Sequence, residues 1–411
     1  MIILRNLVIV MSVAVLGGTL ALAACDDSPA GPGGGELPDI DLTPQEVALI
    51  EASNTFAFDA FRELSAAEAT TNVFISPLSI SMALGMTMNG AAGETREEME
   101  ATLGFSALTL EEINAAYRAV IDLLLGLDPA VEIRVANSIW YRMGFTVIPE
   151  FLETNRAYFE AEVTALDFAS PDAVRTINEW VDRNTSGRIP EIVESIPSDV
   201  VMYLINATYF KGLWDAPFDP EATHERLFRR ADGVEKPVPM MFQHGEFPYV
   251  ETEAYRAADL PYGGGAFAMT VVVPAEGTSL AQLVAGLDAR GWAELTEGLS
   301  AAEIVVELPR FELEYEKTLN EMLQDLGMEL AFTGAADFSR LTPGGGVWID
   351  EVKHKTFVKV DEEGTEAAAV TSVAMTTSLK PGIYADRPFL FAIRERTTGT
   401  ILFIGQFVDP P

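Results

Sequence analysis

The chain has 411 residues, 48% of them hydrophobic, enough to build one large core or two ordinary ones. Its formal net charge of −35 excludes the nucleic-acid binders, whose surfaces carry basic patches. A single cysteine excludes an internal disulfide and a multi-cysteine zinc site.

The N-terminus is a targeting segment. Arg5 precedes an apolar run from Leu7 to Ala23 that suits a signal-peptide core. The run ends in Leu22-Ala23-Ala24-Cys25, which resembles a bacterial lipobox, so Cys25 is expected to carry a lipid after removal of residues 1–24. Asp26 beside it resembles an inner-membrane retention signal of some bacteria. Residues 25–44 form a tether, because Ser28-Pro29-Ala30-Gly31-Pro32-Gly33-Gly34-Gly35 cannot build a core. Length alone suits two or three domains. No later stretch is rich enough in Pro, Gly or charge to cut the chain, so residues 45–411 are expected to be one domain.

Thr43-Pro44-Gln45-Glu46 is a capping box with Pro at the first helical position, and Val47, Ile50, Ala57, Phe61 and Leu64 follow at helical spacing. Ser76-Pro77 starts a second helix that runs through Met82, Leu84, Met86 and Met88 to Asn89-Gly90; its methionines read as core filler. Thr109-Leu110-Glu111-Glu112 starts a further helix through Tyr117, Ile121 and Leu124. Strand signals dominate later. Val201 to Phe210 and Ala268 to Val273 are nearly continuous apolar runs, as in strands covered on both faces. Phe311, Leu313 and Tyr315 alternate with Glu312, Glu314 and Glu316, and Lys355 to Asp361 alternates likewise. Helices mostly early and strands mostly late give an α+β class.

Residues 362–371 carry the strongest functional signal. From Ala367 to Leu379 there is no charge, Pro or Gly. If extended, Thr365, Ala367, Ala369, Thr371, Val373 and Met375 share one face, and all are small, β-branched or apolar. Glu-Ala-Ala-Ala is also good helix material. Gly364 and the β-branched Val370, Thr371, Val373, Thr376 and Thr377 favour the extended form.

Catalytic and cofactor signatures are missing. The three histidines, His224, His244 and His354, show no metal-ligand spacing, and no nucleophile-elbow motif occurs. The triplets Gly263-Gly264-Gly265 and Gly344-Gly345-Gly346 lack the Lys-Ser/Thr of a phosphate loop and read as turns. Neither a metal nor a cofactor is expected. An enzyme would require Ser76 or Ser79 to meet His354 as nucleophile and base; a buried hydroxyl–imidazole cluster is the alternative.

Six segments stand in a telling order: Asn72-Val73-Phe74-Ile75-Ser76-Pro77-Leu78-Ser79-Ile80, Asn89-Gly90-Ala91-Ala92-Gly93-Glu94-Thr95, and Ile177-Asn178-Glu179-Trp180-Val181 with Thr185, Gly187 and Ile189. Asn206-Ala207-Thr208-Tyr209-Phe210-Lys211-Gly212-Leu213-Trp214, Pro309-Arg310-Phe311 and Asp386-Arg387-Pro388-Phe389-Leu390-Phe391 complete the set. Together they resemble the serpin family of protease inhibitors, and the likeness runs from about residue 45 to the end. The resemblance implies three β-sheets, about nine helices and an exposed reactive-centre loop near the C-terminus. It implies a suicide-substrate inhibitor: a serine protease attacks the loop, an acyl-enzyme forms, and the cleaved loop inserts as an extra strand into the central sheet.

By this resemblance Glu362, Glu363, Gly364, Thr365, Glu366, Ala367, Ala368 and Ala369 are the hinge. Ser76, Ser79, Asn206 and His354 form the polar cluster beneath the point where the sheet opens, and Trp214 marks the point of first insertion. Counting from the hinge places the reactive bond at Ser378-Leu379; counting back from Pro388-Phe389 places it at Thr377-Ser378. Both offer a small residue, which suits elastase-like or subtilisin-like proteases; Leu379 or Met375 would suit a chymotrypsin-like one. Pro381 after Lys380 hinders trypsin-like cleavage. The implied partner is a serine protease held covalently by a monomeric, exported inhibitor. A lipid is expected to anchor it in the bacterial cell envelope, surface-exposed or released. The alternative is a non-inhibitory serpin-fold binding or chaperone-like surface lipoprotein.

Overall fold

The computed structural model describes residues 37–364 and 381–411. Helices begin where the caps place them. Thr43 and Glu46 close a capping box on α1 (Pro44–Ala67), Ser76 caps α2 (Pro77–Met88) ahead of Pro77, and Thr109 and Glu112 close a box on α4 (Leu110–Gly126). The short strand β1 (Val73–Ile75) precedes α2, and α3 (Gly93–Thr102) follows it. Next come β2 (Val131–Arg142), α5 (Pro149–Phe159), β3 (Glu162–Leu166), α6 (Pro171–Asn184) and β4 (Met202–Gly212). A strand-rich stretch holds β5 (His224–Arg229), β6 (Glu235–Glu251), β7 (Tyr255–Tyr262), β8 (Phe267–Pro274) and β9 (Ser300–Pro309), with α7 (Leu280–Gly286) and α8 (Ala289–Glu297) before the last. The order ends with β10 (Phe311–Thr318), α9 (Asn320–Asp325), β11 (Lys353–Val360), β12 (Gly382–Tyr384), β13 (Phe389–Glu395) and β14 (Ile401–Phe407).

Among the described residues there are nine α-helices and three sheets, an α+β architecture. The largest sheet has nine strands in the order β1-β14-β13-β8-β7-β6-β9-β12, with β5 paired to β6. The second has three, β3-β2-β4, and the third has two, β10-β11. The main core lies between the helices of the first half and these sheets, and Met82, Leu84, Met86 and Met88 sit inside it as filler. A second, smaller core lies between α6 and the three-stranded sheet. Trp140, Ile177, Trp180, Val181, Ile189 and Ile205 are buried there, at roughly 1.5–3 kcal/mol for each large side chain.

The alternating strands appear as expected: Phe311, Leu313 and Tyr315 of β10 are buried between exposed glutamates, and His354, Thr356, Val358 and Val360 of β11 are buried on one face. β8 is buried throughout, whereas most of β4 is only half-buried. Val47 departs from the predicted α1 stripe: it is 39% exposed, and Leu49 takes the inward position beside Ile50. Gly263 and Gly265 have left-handed backbone within a turn, and Gly344, Gly345 and Gly346 are left-handed too, with a turn that closes from Gly345 N–H to Thr342 O at 3.1 Å.

Candidate functional site

The C-terminal ends of β4 and β11 meet. Trp214, just past β4, donates its backbone N–H to Glu363 O at 3.2 Å and its indole Nε1–H to Asp361 O at 2.9 Å. The two strands therefore run in the same direction. Among the described residues, β4 pairs only with β2 and β11 only with β10, so a two-stranded and a three-stranded sheet face each other edge to edge. A cleft lies between them, lined by Thr208, Tyr209 and Phe210 of β4 and by Phe357, Val358 and Lys359 of β11.

The upper end of the cleft is tightly built. Trp214 is 4% exposed, stacks on Tyr262 at 4.4 Å and meets Phe218 edge-on. Glu362 is buried and accepts the Thr223 hydroxyl at 2.7 Å and an Arg310 N–H at 3.4 Å, while its carbonyl accepts Phe218 N–H at 2.8 Å. Asp361 pairs with Lys359 at 2.9 Å. Gly364 then bridges to Leu213 with φ of +107°, and a Cβ there would lie 2.4 Å from Trp214 N and 2.8 Å from Gly212 O. Only glycine fits that backbone and that space. The chain leaves β11 at this point, fixed in direction by glycine and in place by Glu362.

The middle of the cleft is underlain by a polar cluster. Ser76 caps α2, so its side chain accepts Ser79 N–H at 3.3 Å while its hydroxyl donates to Leu402 O at 2.8 Å. The backbone N–H of Ser76 donates to His354 Nε2 at 3.0 Å. The Ser79 hydroxyl donates to Asn206 Oδ1 at 2.5 Å, and Asn206 Nδ2 donates to Asn137 Oδ1 at 2.8 Å. α2, β4, β2 and β11 are thus tied together by four of the predicted residues. Burial lowers the His354 pKa from 6.5 to about 3, so its imidazole is neutral and accepts a hydrogen bond.

This geometry does not make a hydrolase. Neither serine hydroxyl donates to His354, whose Nε2 is already occupied by a backbone amide, and all three residues are buried. Among the described residues, no group of three His, Cys, Asp or Glu is placed to hold a metal ion.

Of the predicted site residues, Ser76, Ser79, Asn206, His354, Trp214, Glu362, Glu363 and Gly364 fall into this one region. Cys25, Thr365, Glu366, Ala367, Ala368, Ala369, Thr377, Ser378 and Leu379 lie outside the described residues. Sequence reasoning missed Asn137, whose Nδ2 also donates to Phe159 O at 2.8 Å, and Thr356, whose hydroxyl reaches Phe74 O at 2.5 Å. It also missed Arg310 and Thr223, the partners of Glu362. A polar residue in step with the apolar positions of an alternating strand was the available signal, Asn137 with Val131, Ile133, Val135 and Ile139, and Thr356 with Val358 and Val360; nothing in the sequence pairs Thr223 with Glu362 across 139 positions.

A family model described as serpin, serine protease inhibitor, matches residues 51–410. The chain belongs to the serpin family. Human leukocyte elastase inhibitor is 36% identical over 378 residues, covering 88% of this chain and 99% of that one. The native state of tengpin, a thermophilic serpin, superposes with a TM-score of 0.80 at 32% identity, covering 91% of this serpin and 96% of tengpin. Human thyroxine-binding globulin in complex with thyroxine gives 0.81 at 28% identity, covering 89% of this chain and 99% of that one. The family is thus one of protease inhibitors for the most part, with members of other function among the close folds.

Proposed function

We propose that this serpin is a suicide-substrate inhibitor of serine proteases, with Ser378-Leu379 as its reactive bond. The carrying observation is the cleft between β4 and β11, closed by Trp214 at the end where Gly364 turns the chain out of β11. A segment that leaves β11 and reverses there would run antiparallel to both strands, and antiparallel neighbours exchange well-aligned hydrogen bonds. The protease serine attacks the Ser378 carbonyl, the Ser378-Leu379 peptide bond breaks, and an ester to the enzyme forms while Leu379 gains a free amino group. Freed at its far end, residues 365–378 span roughly 46 Å when extended, against about 36 Å for the eleven residues of β4. Insertion would carry the ester, and the protease with it, beyond the opposite end of the strand. A protease whose oxyanion hole is pulled out of shape by even one donor loses about 10²–10³ in rate, so the ester persists.

Small residues at the bond favour elastase-like or subtilisin-like targets, and the relation to leukocyte elastase inhibitor supports the same class. Cys25 would carry the lipid, and residues 25–44 would hold the inhibitor off the bacterial envelope as a monomer. The test is to mix the protein with pancreatic elastase, subtilisin and chymotrypsin, and to look for a complex that survives denaturant. Mass spectrometry of the C-terminal peptide, freed in denaturant, then fixes the bond: an N-terminus at Leu379 supports the assignment, and one at Ser378 moves it by one residue. Cleavage without any stable complex would leave a non-inhibitory binding protein on a serpin fold.

A further inference from the structure

The cleft has a cover. The segment from Thr185 to Val201 leaves the end of α6 and returns to the start of β4, and on its way it crosses in front of the cleft. Thr185, Arg188 and Ile189 line the same cavity as Thr208 of β4 and Val358 of β11. Further along, Glu194 pairs with Lys353 at the start of β11. The segment therefore runs down the length of β11 in the opposite direction, from the level of Phe357 to that of Lys353.

Its attachments are unequal. Towards α6 and β2 they are many and enclosed. Asn178 Oδ1 accepts the N–H of Ile192 and of Val193, both at 3.0 Å, and its Nδ2 donates to Val193 O at 2.7 Å. The Thr185 hydroxyl donates to Val181 O at 2.9 Å, and the Arg142 guanidinium binds Val200 O. Ile189 and Val193 are buried in the small core under α6. Towards β11, among the described residues, there are a cation–ring contact and an ion pair: the Arg188 guanidinium lies 5.3 Å from the centre of the Phe357 ring, and Glu194 meets Lys353 at 3.5 Å with its own side chain 78% exposed. Contacts of these two kinds are individually weak.

We propose that Arg188 and Glu194 are positioning residues that latch the covering segment onto β11 and so set how fast a strand can enter the cleft. The inference rests on the inhibitor reading above and names a control on that same site. When the sheets part, the segment stays with α6 and the β2–β4 side, because its enclosed bonds and buried side chains are there. The two contacts to β11 are the ones that break. They are weak enough to yield during insertion and strong enough to slow it in the uncleaved molecule.

The experiment measures insertion without a protease. A synthetic peptide of residues 365–377 is incubated with the full uncleaved chain, and its annealing is followed by native gel and by the rise in unfolding temperature. Arg188→Ala combined with Glu194→Gln should anneal the peptide about five- to tenfold faster than the parent. Phe357→Leu should match Arg188→Ala and add nothing to it, and Arg188→Lys should keep the parental rate. Asn178→Ala loosens the segment on the α6 side only and should leave annealing near the parental rate. Parental annealing in the double variant, or equal acceleration by Asn178→Ala, overturns the latch. Hydrogen exchange at the β11 amides gives a second reading that needs no peptide: exchange should quicken in the double variant, and unchanged exchange counts against the proposal. A protein that shows these effects yet never traps a protease would sink the inhibitor reading and keep the latch. A protein that traps proteases with an unaltered double variant would do the reverse.

Discussion

His354 is a histidine kept from being charged. It is 6% exposed and accepts the Ser76 N–H, which an imidazolium could not do. Its folded pKa of about 3 lies below the unfolded value near 6.5, so the unfolded chain binds a proton between these values and the folded one does not. Stability from this residue is fully present above pH 6.5 and is lost as pH falls towards 3. Thermal midpoints of the wild type and His354→Ala should therefore converge across that window, while at pH 8 the variant should be weaker by about 1–3 kcal/mol for the unpaired Ser76 amide. Parallel pH profiles would contradict the assignment. Gly364 gives the second expectation at this scale. With φ of +107° and backbone atoms within 3 Å of any Cβ, Gly364→Ala must displace the Leu213–Trp214 backbone. Quenching of Trp214 fluorescence should change, and the unfolding midpoint should fall by an amount matching about 1–3 kcal/mol.

Among the elements, the parity of a strand makes the sharpest test. An inserted extended segment alternates its faces, so Thr365, Ala367 and Ala369 would point inward and Glu366 and Ala368 outward. A charge on the inward side would enter the sheet without a partner, and even a neutral polar group in that position costs roughly 1–3 kcal/mol. Since 1.4 kcal/mol is tenfold in rate, Thr365→Arg or Ala369→Glu should convert inhibitor to substrate, with cleavage at an unchanged bond and no stable complex on a denaturing gel. Ala368→Glu should remain an inhibitor. Equal loss in all three would mean that insertion is not the mechanism. Much of this level was legible in the sequence. Ser76-Pro77 and Thr43-Pro44 announced helix starts through side chains that bond only locally, and the alternation of β10 and β11 announced their buried faces. The separation of β4 from β11 was not legible, because strand neighbours depend on contacts across 150 residues and no local pattern records them. For the same reason the pairing of Arg310 with Glu362 and of Arg188 with Phe357 was not legible, although Arg310 stood in one of the motifs that carry the resemblance.

For the whole molecule, two ends matter. Among the described residues no helix is long and apolar enough to cross a membrane; in the proposed reading the lipid on Cys25 is the anchor. Cys25→Ala should move the protein from the membrane fraction to the soluble one or leave unprocessed precursor, and unchanged fractionation would remove the anchor from the proposal. At the other end, β13 lies between β14 and β8 in the middle of the nine-stranded sheet, and both β13 and β14 are buried along their whole length. Both come after the proposed reactive bond. Cleavage at Ser378 would therefore divide the covalent chain while leaving its last segment built into the body, like a stave that cannot be drawn from a closed barrel. The nicked protein would be a two-chain complex: it should migrate as one particle under native conditions and release the piece from Leu379 to Pro411 in denaturant alone. The same partition makes the protein a natural split pair, since the body and a separately supplied C-terminal peptide carry complementary strands of one sheet.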